Sequence, residues 1–170
     1  NNLMVSKSDN YFFSDSITSI NPIEWNDCVG LDHPFTRHEF LSALETSKSA
    51  DSATGWKPFH YIERNKKKIL AVCPLYIKTH SYGEYIFDHA WADAYNRHGL
   101  NYYPKLQSAI PFTPVTGERI IVHGSIKNKF AKKNEIINNI IEEIKKLNIS
   151  SLHFNFLYNP SKLKEQNPQL

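Results

Sequence analysis

Cysteine is scarce. Cys28 and Cys73 are the only two in 170 residues. They fall in different predicted elements and have no C-x-x-C spacing. That argues against a disulfide framework or a cysteine-ligated zinc site, and a reducing, cytoplasmic setting is expected. The eight histidines show no H-E-x-x-H or similar metal spacing, so no metal is expected. Glycine is sparse too, at six residues. The glycine patterns of Walker and Rossmann phosphate sites are absent, as is the G-x-S-x-G nucleophile elbow. The Q/R-x-x-G-x-G/A loop that holds acetyl-CoA in ordinary N-acetyltransferases is also missing. No apolar run approaches the ~18 residues of a membrane span, and the N-terminus has no signal-peptide core. Charge of one sign does not dominate. The net charge is +3 and the pI near 8.8. Apart from Lys66–Lys68 and a run between Lys127 and Lys146 the lysines scatter, so DNA is not an expected partner.

What is present is an ordinary globular composition, 41% hydrophobic and 22% charged. A chain of this length buries roughly 70% of its unfolded surface, enough for one domain with a sizeable core. The unusual figure is 13% aromatic, including nine Tyr and ten Phe. A core this size does not need so many, so some are expected to line a surface or cleft.

Asn1–Asn10 is polar and expected to fray. Tyr11–Ile20 reads as a short strand and its exit. Asn21, Pro22 and Glu24 then suit the N-cap, N1 and N3 of a helix, with Ile20 and Trp25 as its hydrophobic staple. Thr36–Glu39 fits a second capping box, flanked by Phe35 and Phe40, and opens a helix to about Thr46. His33 and His38 flank that start and are assigned to capping. Ser47–Gly55 is a loop. Phe59–Glu63 and Ile69–Lys78 read as strands joined by a hairpin loop at Arg64–Lys68, and Tyr85–Phe87 as a third. His89–His98 has helical spacing, with Gly99 as its stop. Asn101–Gly117 holds three prolines and little periodicity, and reads as a long ordered loop or a broken strand. Glu118–His123 alternates as a strand. Ile136, Ile137, Ile140, Ile141, Ile144 and Leu147 mark an amphipathic helix over 128–147, which Asn148 ends in the left-handed region. Leu152, Phe154 and Phe156 alternate with polar residues as a final strand. The interleaving predicts an α/β fold with a mostly antiparallel mixed sheet and helices on its faces.

Polar and aromatic residues concentrate in Asp88–Lys105. On a helix, His89, Asp93 and Arg97 share one face, and Trp91, Tyr95 and His98 form an adjacent stripe. Tyr102, Tyr103 and Lys105 lie just beyond. An imidazole, a carboxylate and a guanidinium beside aromatic walls could bind an anionic or sugar-like substrate. His89 with Asp93 could serve as a general base, because the carboxylate favours the imidazolium. The structural alternative is a surface ion pair between Asp93 and Arg97, with Trp91 and Tyr95 turned to the core. In Pro111–Arg119 the prolines and Gly117 fix the backbone. Thr113, Thr116 and Arg119 offer donors to a phosphate or carboxylate, although Thr-Gly before a strand is also common turn chemistry. His123–Lys127, between a strand and the long helix, is the nearest positional analogue of a pyrophosphate loop, but lacks the glycines that permit close approach.

Seven motifs occur in one order. They are H-P-F at 33–35, T-G-W-x-P-x-H at 54–60, P-L-Y-x-K at 74–78, H-S-Y-G-E-Y at 80–85, W-A-x-A-Y-x-R-x-G at 91–99, Y-Y-P-K-L at 102–106 and P-F-T-P-V-T-G-x-R at 111–119. Over residues 30–156 the chain resembles a bacterial family of peptidoglycan biosynthesis/recognition proteins, the FemAB-like members of the GNAT acyltransferase superfamily. The resemblance implies a GNAT-like fold and an N-acyltransferase or aminoacyltransferase activity on an amine acceptor such as a peptidoglycan precursor. Acyl-CoA or aminoacyl-tRNA would be the donor. It supplies no catalytic residues, but its motifs coincide with Tyr82, Tyr85, Asp88, Trp91, Tyr95, Arg97, Tyr102, Tyr103 and Lys105 as a cleft. Members of the family run to about twice this length. Residues 1–170 are therefore expected to be the N-terminal lobe of a two-lobe protein, with a second lobe or a homodimer as partner. The alternatives are a non-catalytic glycan or peptide recognition module, favoured by the missing acetyl-CoA loop, and a lobe that only supports the other half.

Overall fold

The computed structural model describes residues 10–66, 68–82 and 88–158. The expected frayed N-terminus up to residue 9, the expected strand at Tyr85–Phe87 and the tail from 159 to 170 lie outside them. Among the described residues the order is β1 (Tyr11–Ser14), α1 (Pro22–Val29), α2 (His38–Thr46), β2 (Trp56–Pro58), β3 (His60–Arg64), β4 (Ile69–Cys73), β5 (Tyr76–Lys78), α3 (His89–Arg97), β6 (Lys105–Ser108), β7 (Ile121–Val122), α4 (Lys129–Lys146) and β8 (Leu152–Phe154). The strands form two sheets, β1-β3-β4-β7 and β2-β5-β6-β8. All pairings are antiparallel except β6–β8. The fold is the expected mixed, mostly antiparallel α/β class and is consistent with a GNAT-like architecture. It has two four-stranded sheets where the sequence suggested one central sheet.

The cause is a bend in one hairpin. Ile69–Lys78 reads as a single strand, but Pro74 carries no N–H and cannot continue a ladder. Opposite it the chain bends at Phe59, whose N–H donates to the Leu75 carbonyl at 2.8 Å. The hairpin therefore gives β3 and β4 to the first sheet and β2 and β5 to the second. Of the two readings of Asn101–Gly117 the broken strand is the one seen: β6 lies within it, between β5 and β8. The strand expected over Glu118–His123 shrinks to Ile121–Val122.

Local signals explain the helices. Asn21 Oδ1 accepts from the amides of Ile23 and Glu24, and Pro22 occupies the first turn. Glu24 does not close a capping box; it pairs with Arg64 at 3.2 Å. The capping box expected at Thr36 is also absent. The helix starts at His38 with Arg37 as N-cap, while Thr36 Oγ1 donates back to the His33 carbonyl at 2.9 Å. Asn26 supplies the cap from another helix, its Oδ1 accepting from His38 N at 3.0 Å. His38 and His33 are not capping side chains. His38 is buried, with Nε2 between the carbonyls of Ile17 and Ile20, and His33 makes no cap hydrogen bond. Asn128 caps α4 through Ala131 N, and Asn148 follows it at φ 54°.

Alternation along the first sheet feeds two cores. Phe13, Tyr61, Ala71, Cys73 and Val122 pack against Ile136, Ile137, Ile140 and Ile144 of α4. Ile62, Val72 and Ile121 pack on the other side against Trp25, Cys28 and Leu41 of α1 and α2. Each such side chain, fully buried, contributes roughly 1.5–3 kcal/mol. Burial pushes both thiols, Cys28 and Cys73, up to about 12, so they stay protonated.

Candidate functional site

The second sheet has two unlike faces. Residues directly opposite share a face, and successive residues alternate. Ile77, Leu106, Leu152 and Phe154 turn toward the α4 core. The opposite face carries Trp56, Lys78 and Lys105 in one row and Tyr76, Gln107 and His153 in the next. Most of it is buried: Trp56, Tyr76, Lys78, Lys105 and Gln107 are each at most 2% exposed. Lys78 and Lys105 are direct cross-strand partners, a like-charge pairing that is destabilising unless each charge is compensated. The Lys78 ammonium lies 3.8 Å over the Trp56 ring, a cation–π contact. The Lys105 ammonium meets the Asp88 carboxylate.

Asp88 is the residue that precedes α3 and is 5% exposed. Its carboxylate accepts from Lys105 Nζ, from the Tyr102 hydroxyl at 2.7 Å and from the Tyr103 hydroxyl at 3.2 Å. Ser81 joins through the Tyr103 hydroxyl and through Asp88 itself. Burial alone would raise the carboxyl pKa. The hydrogen bonds from Lys105, Ser81 and Tyr102 and the Lys105 charge outweigh it and hold the group well below the usual carboxylate range. A carboxylate so held stays ionised and is a poor proton acceptor. Tyr102 also meets the Tyr95 ring edge-on at 5.2 Å and the His153 ring at 6.0 Å. His153 is pushed down to about 4, first by burial and then by the Lys105 charge. At neutral pH it is therefore an uncharged imidazole, with Nε2 2.8 Å from Ser151 Oγ.

The structure thus brings together Asp88, Tyr95, Tyr102, Tyr103 and Lys105 of the sequence-derived cleft. Tyr82, Trp91, His89, Asp93 and Arg97 stand outside this buried cluster, on the solvent side. Tyr82 is 73% and Trp91 66% exposed, and α3 buries none of its residues. His89 lies beside Tyr82, ring centroids 6.4 Å apart, and His80 flanks the same tyrosine at 5.1 Å. Arg97 Nε donates to the Asp93 backbone carbonyl at 3.4 Å. Tyr85 lies outside the described residues.

The second predicted stretch divides. Thr113 closes a turn, with Oγ1 donating to the Pro111 carbonyl at 3.1 Å. Thr116 and Arg119 line a small cavity with His33. In the His123–Lys127 turn the Ser125 amide donates to His123 Nδ1 at 3.0 Å, which removes one of the amides an anion would need. Among the described residues no three His, Cys, Asp or Glu side chains cluster as a metal site, and no helix is long and apolar enough to cross a membrane.

Sequence reasoning missed Trp56, Tyr76, Lys78, Gln107 and His153 as members of the site. A signal existed: Tyr-Ile-Lys at 76–78 and Lys-Leu-Gln at 105–107 are period-2 patterns with a polar face. Such a face is normally read as solvated, and here it is buried.

No curated protein and no solved structure matches the chain. A family profile described as peptidoglycan biosynthesis/recognition matches residues 16–169, a span that takes in the second sheet, the first sheet apart from β1, α3 and the whole Asp88 cluster. On that match the chain belongs to the FemAB-like family, whose role lies in the biosynthesis or recognition of peptidoglycan.

Proposed function

We propose that this chain binds the amine-bearing acceptor of a cell-wall precursor during N-acyl or aminoacyl transfer, using the aromatic surface at the start of α3. The observation that carries the reading is that Tyr82 and Trp91 are exposed on either side, along the chain, of the firmly held Asp88. Asp88 and Lys105 anchor the first residue before α3, so rings nearby are presented at low conformational cost. Amphipathic aromatic rings suit the mixed polar and C–H faces of a glycan. In this reading His89, beside Tyr82, takes the proton of the attacking amine, with Asp93 one turn further along the same helix. Arg97, a turn beyond Asp93, is a contact for an acidic group of the acceptor. The donor is acyl-CoA or aminoacyl-tRNA.

A second reading, recognition without catalysis, is favoured by one specific feature. Asp88, the strongest carboxylate in the site, is saturated by donors from four side chains, and none of its capacity is left for proton transfer. Titration with soluble muropeptides, acyl-CoA and aminoacyl-tRNA, followed by a transfer assay, separates the two. Tyr82→Ala and Trp91→Ala should each weaken muropeptide binding about tenfold or more while leaving stability within ~0.5 kcal/mol. The His89→Ala, Asp93→Ala double variant should keep acceptor binding and lose turnover. Unchanged turnover removes the base assignment. Muropeptide binding without any donor binding supports recognition alone.

A further inference from the structure

Arg119 enters the first sheet just before β7 and is 2% exposed. Its Nε donates to the Asn155 carbonyl at 2.9 Å and its Nη2 to the Val115 carbonyl. Both partners are neutral. Among the described residues Nη1 donates to no atom, and no carboxylate lies within ion-pair distance of the guanidinium. The adjacent Glu118 carboxylate is engaged by Lys133. A buried guanidinium with no carboxylate in direct contact is costly, and such groups are normally paired or meet an anion.

The space beside Nη1 is a partly open cavity of about 100 Å³. Asp32, His33, Thr116, Gly117 and Tyr158 line it together with Arg119. A Cβ added at Gly117 would lie 3.3 Å from Nη1 and 3.7 Å from His33 Nδ1. The missing side chain is therefore what keeps the gap between guanidinium and imidazole open. We infer that Arg119, His33 and Thr116 form a binding site for one small carboxylate, either a free acid or the carboxyl end of a longer molecule.

Two features select that class. A cavity of about 150 Å³ holds a benzene-sized molecule, so one of about 100 Å³ suits a carboxylate with one or two further carbons. The planar guanidinium edge also matches a carboxylate. Charge argues for a monoanion. One cation faces the cavity, and the Asp32 and Glu118 carboxyls on the same lining oppose a doubly charged phosphate. The site is built from the 32–36 and 110–119 segments and Tyr158, and it does not depend on the reading of the α3 surface.

The test uses the full 170-residue chain with sodium acetate and sodium phosphate as probes and sodium chloride at matched ionic strength as control. Backbone amide shifts of Thr116 and Gly117, the Arg119 Nε–H signal and the melting temperature are followed together. Acetate should give saturable shifts centred on these groups and raise the melting temperature. Gly117→Ala, which places a methyl in the gap and keeps the Arg119 charge, should weaken acetate binding at least tenfold. Its backbone lies outside the left-handed region, so alanine adds no backbone strain there, and the crowding falls on the Nη1 end of Arg119. Thr116→Val, at an exposed position, should weaken it several-fold and serves if Gly117→Ala unfolds the chain. Shifts that do not saturate, that chloride reproduces, that phosphate alone elicits, or that persist unchanged in both variants would overturn the inference.

Discussion

The first sheet shows Ile62, Val72 and Ile121 to one layer of helices and Phe13, Tyr61 and Val122 to another. The second sheet, fed by the same bent hairpin, gives Ile77, Leu106 and Leu152 to the α4 core but buries Tyr76, Lys78, Lys105 and Gln107 on its other face. Their buried polar groups differ in the same way. Beside the first sheet, Glu45 accepts from Ile17 N, Ser16 Oγ and His60 Nε2. Leu75 N–H donates to His60 Nδ1, which leaves the proton on Nε2. The Tyr61 hydroxyl donates to Glu63 and accepts from Asn139. On the second sheet Trp56 Nε1, Tyr76 OH and Gln107 Oε1 are buried with no hydrogen-bond partner among the described residues. Such a group costs about 1–3 kcal/mol. A scaffold minimises that cost, and a surface shaped for something other than stability tolerates it.

The contrast breaks or sharpens on three measurements of folding free energy. The largest effect is expected at Asp88→Ala, which takes the Asp88 carboxylate away from the buried Lys105 ammonium. Breaking a buried pair costs about 3–5 kcal/mol, and Asp88→Ala combined with Lys105→Met should recover most of it. A loss below ~1 kcal/mol by urea denaturation would put this cluster on a par with surface ion pairs.

Next in size is pH. His153 sits near 4 in the fold against 6.5 when unfolded. Its lowered value means that the unfolded chain binds the extra proton between those limits. Stability is then constant above about pH 6.5 and falls as pH drops toward 4, by up to about 3 kcal/mol. Asp88, whose value is also lowered, adds acid sensitivity only below its unfolded value near 3.8. His153→Gln should flatten the 4–6.5 window and leave the steeper acid limb. An unchanged slope there would show that His153 is not desolvated.

The smallest effect is the most direct comparison of the two sheets. Tyr61→Phe removes a hydroxyl with two partners and should cost about 1–2 kcal/mol. Tyr76→Phe removes one with none and should be neutral or stabilising by up to about 1 kcal/mol. Equal losses at both positions would erase the distinction.

Much of this was legible in the chain. The isoleucine spacing located α4 to within a residue, and Asn21-Pro22 located the start of α1, because both are local patterns. Asp88, Tyr102, Tyr103 and Lys105 were identifiable as a polar-aromatic concentration. Their joining was not. Asp88 and Lys105 are 17 residues apart, and only the path from α3 back to β6 makes them partners. Thr36–Glu39 matched a capping box, yet Asn26 from α1 supplied the cap, since a side chain from another element can outcompete a local one. Pro111–Arg119 carried its donors in sequence, but Thr113 was used by its own turn and only Thr116 and Arg119 reached a cavity.

By itself the sequence determined the helices, the turn residues and the order of the motifs that mark the family, because propensity, capping and periodicity act over a few residues. Only the tertiary structure decided that one hairpin would serve two sheets, that a polar strand face would be buried, and that one guanidinium would be left facing a cavity. Those outcomes depend on which surfaces meet across long stretches of chain, and no local pattern encodes burial on the far side of a strand.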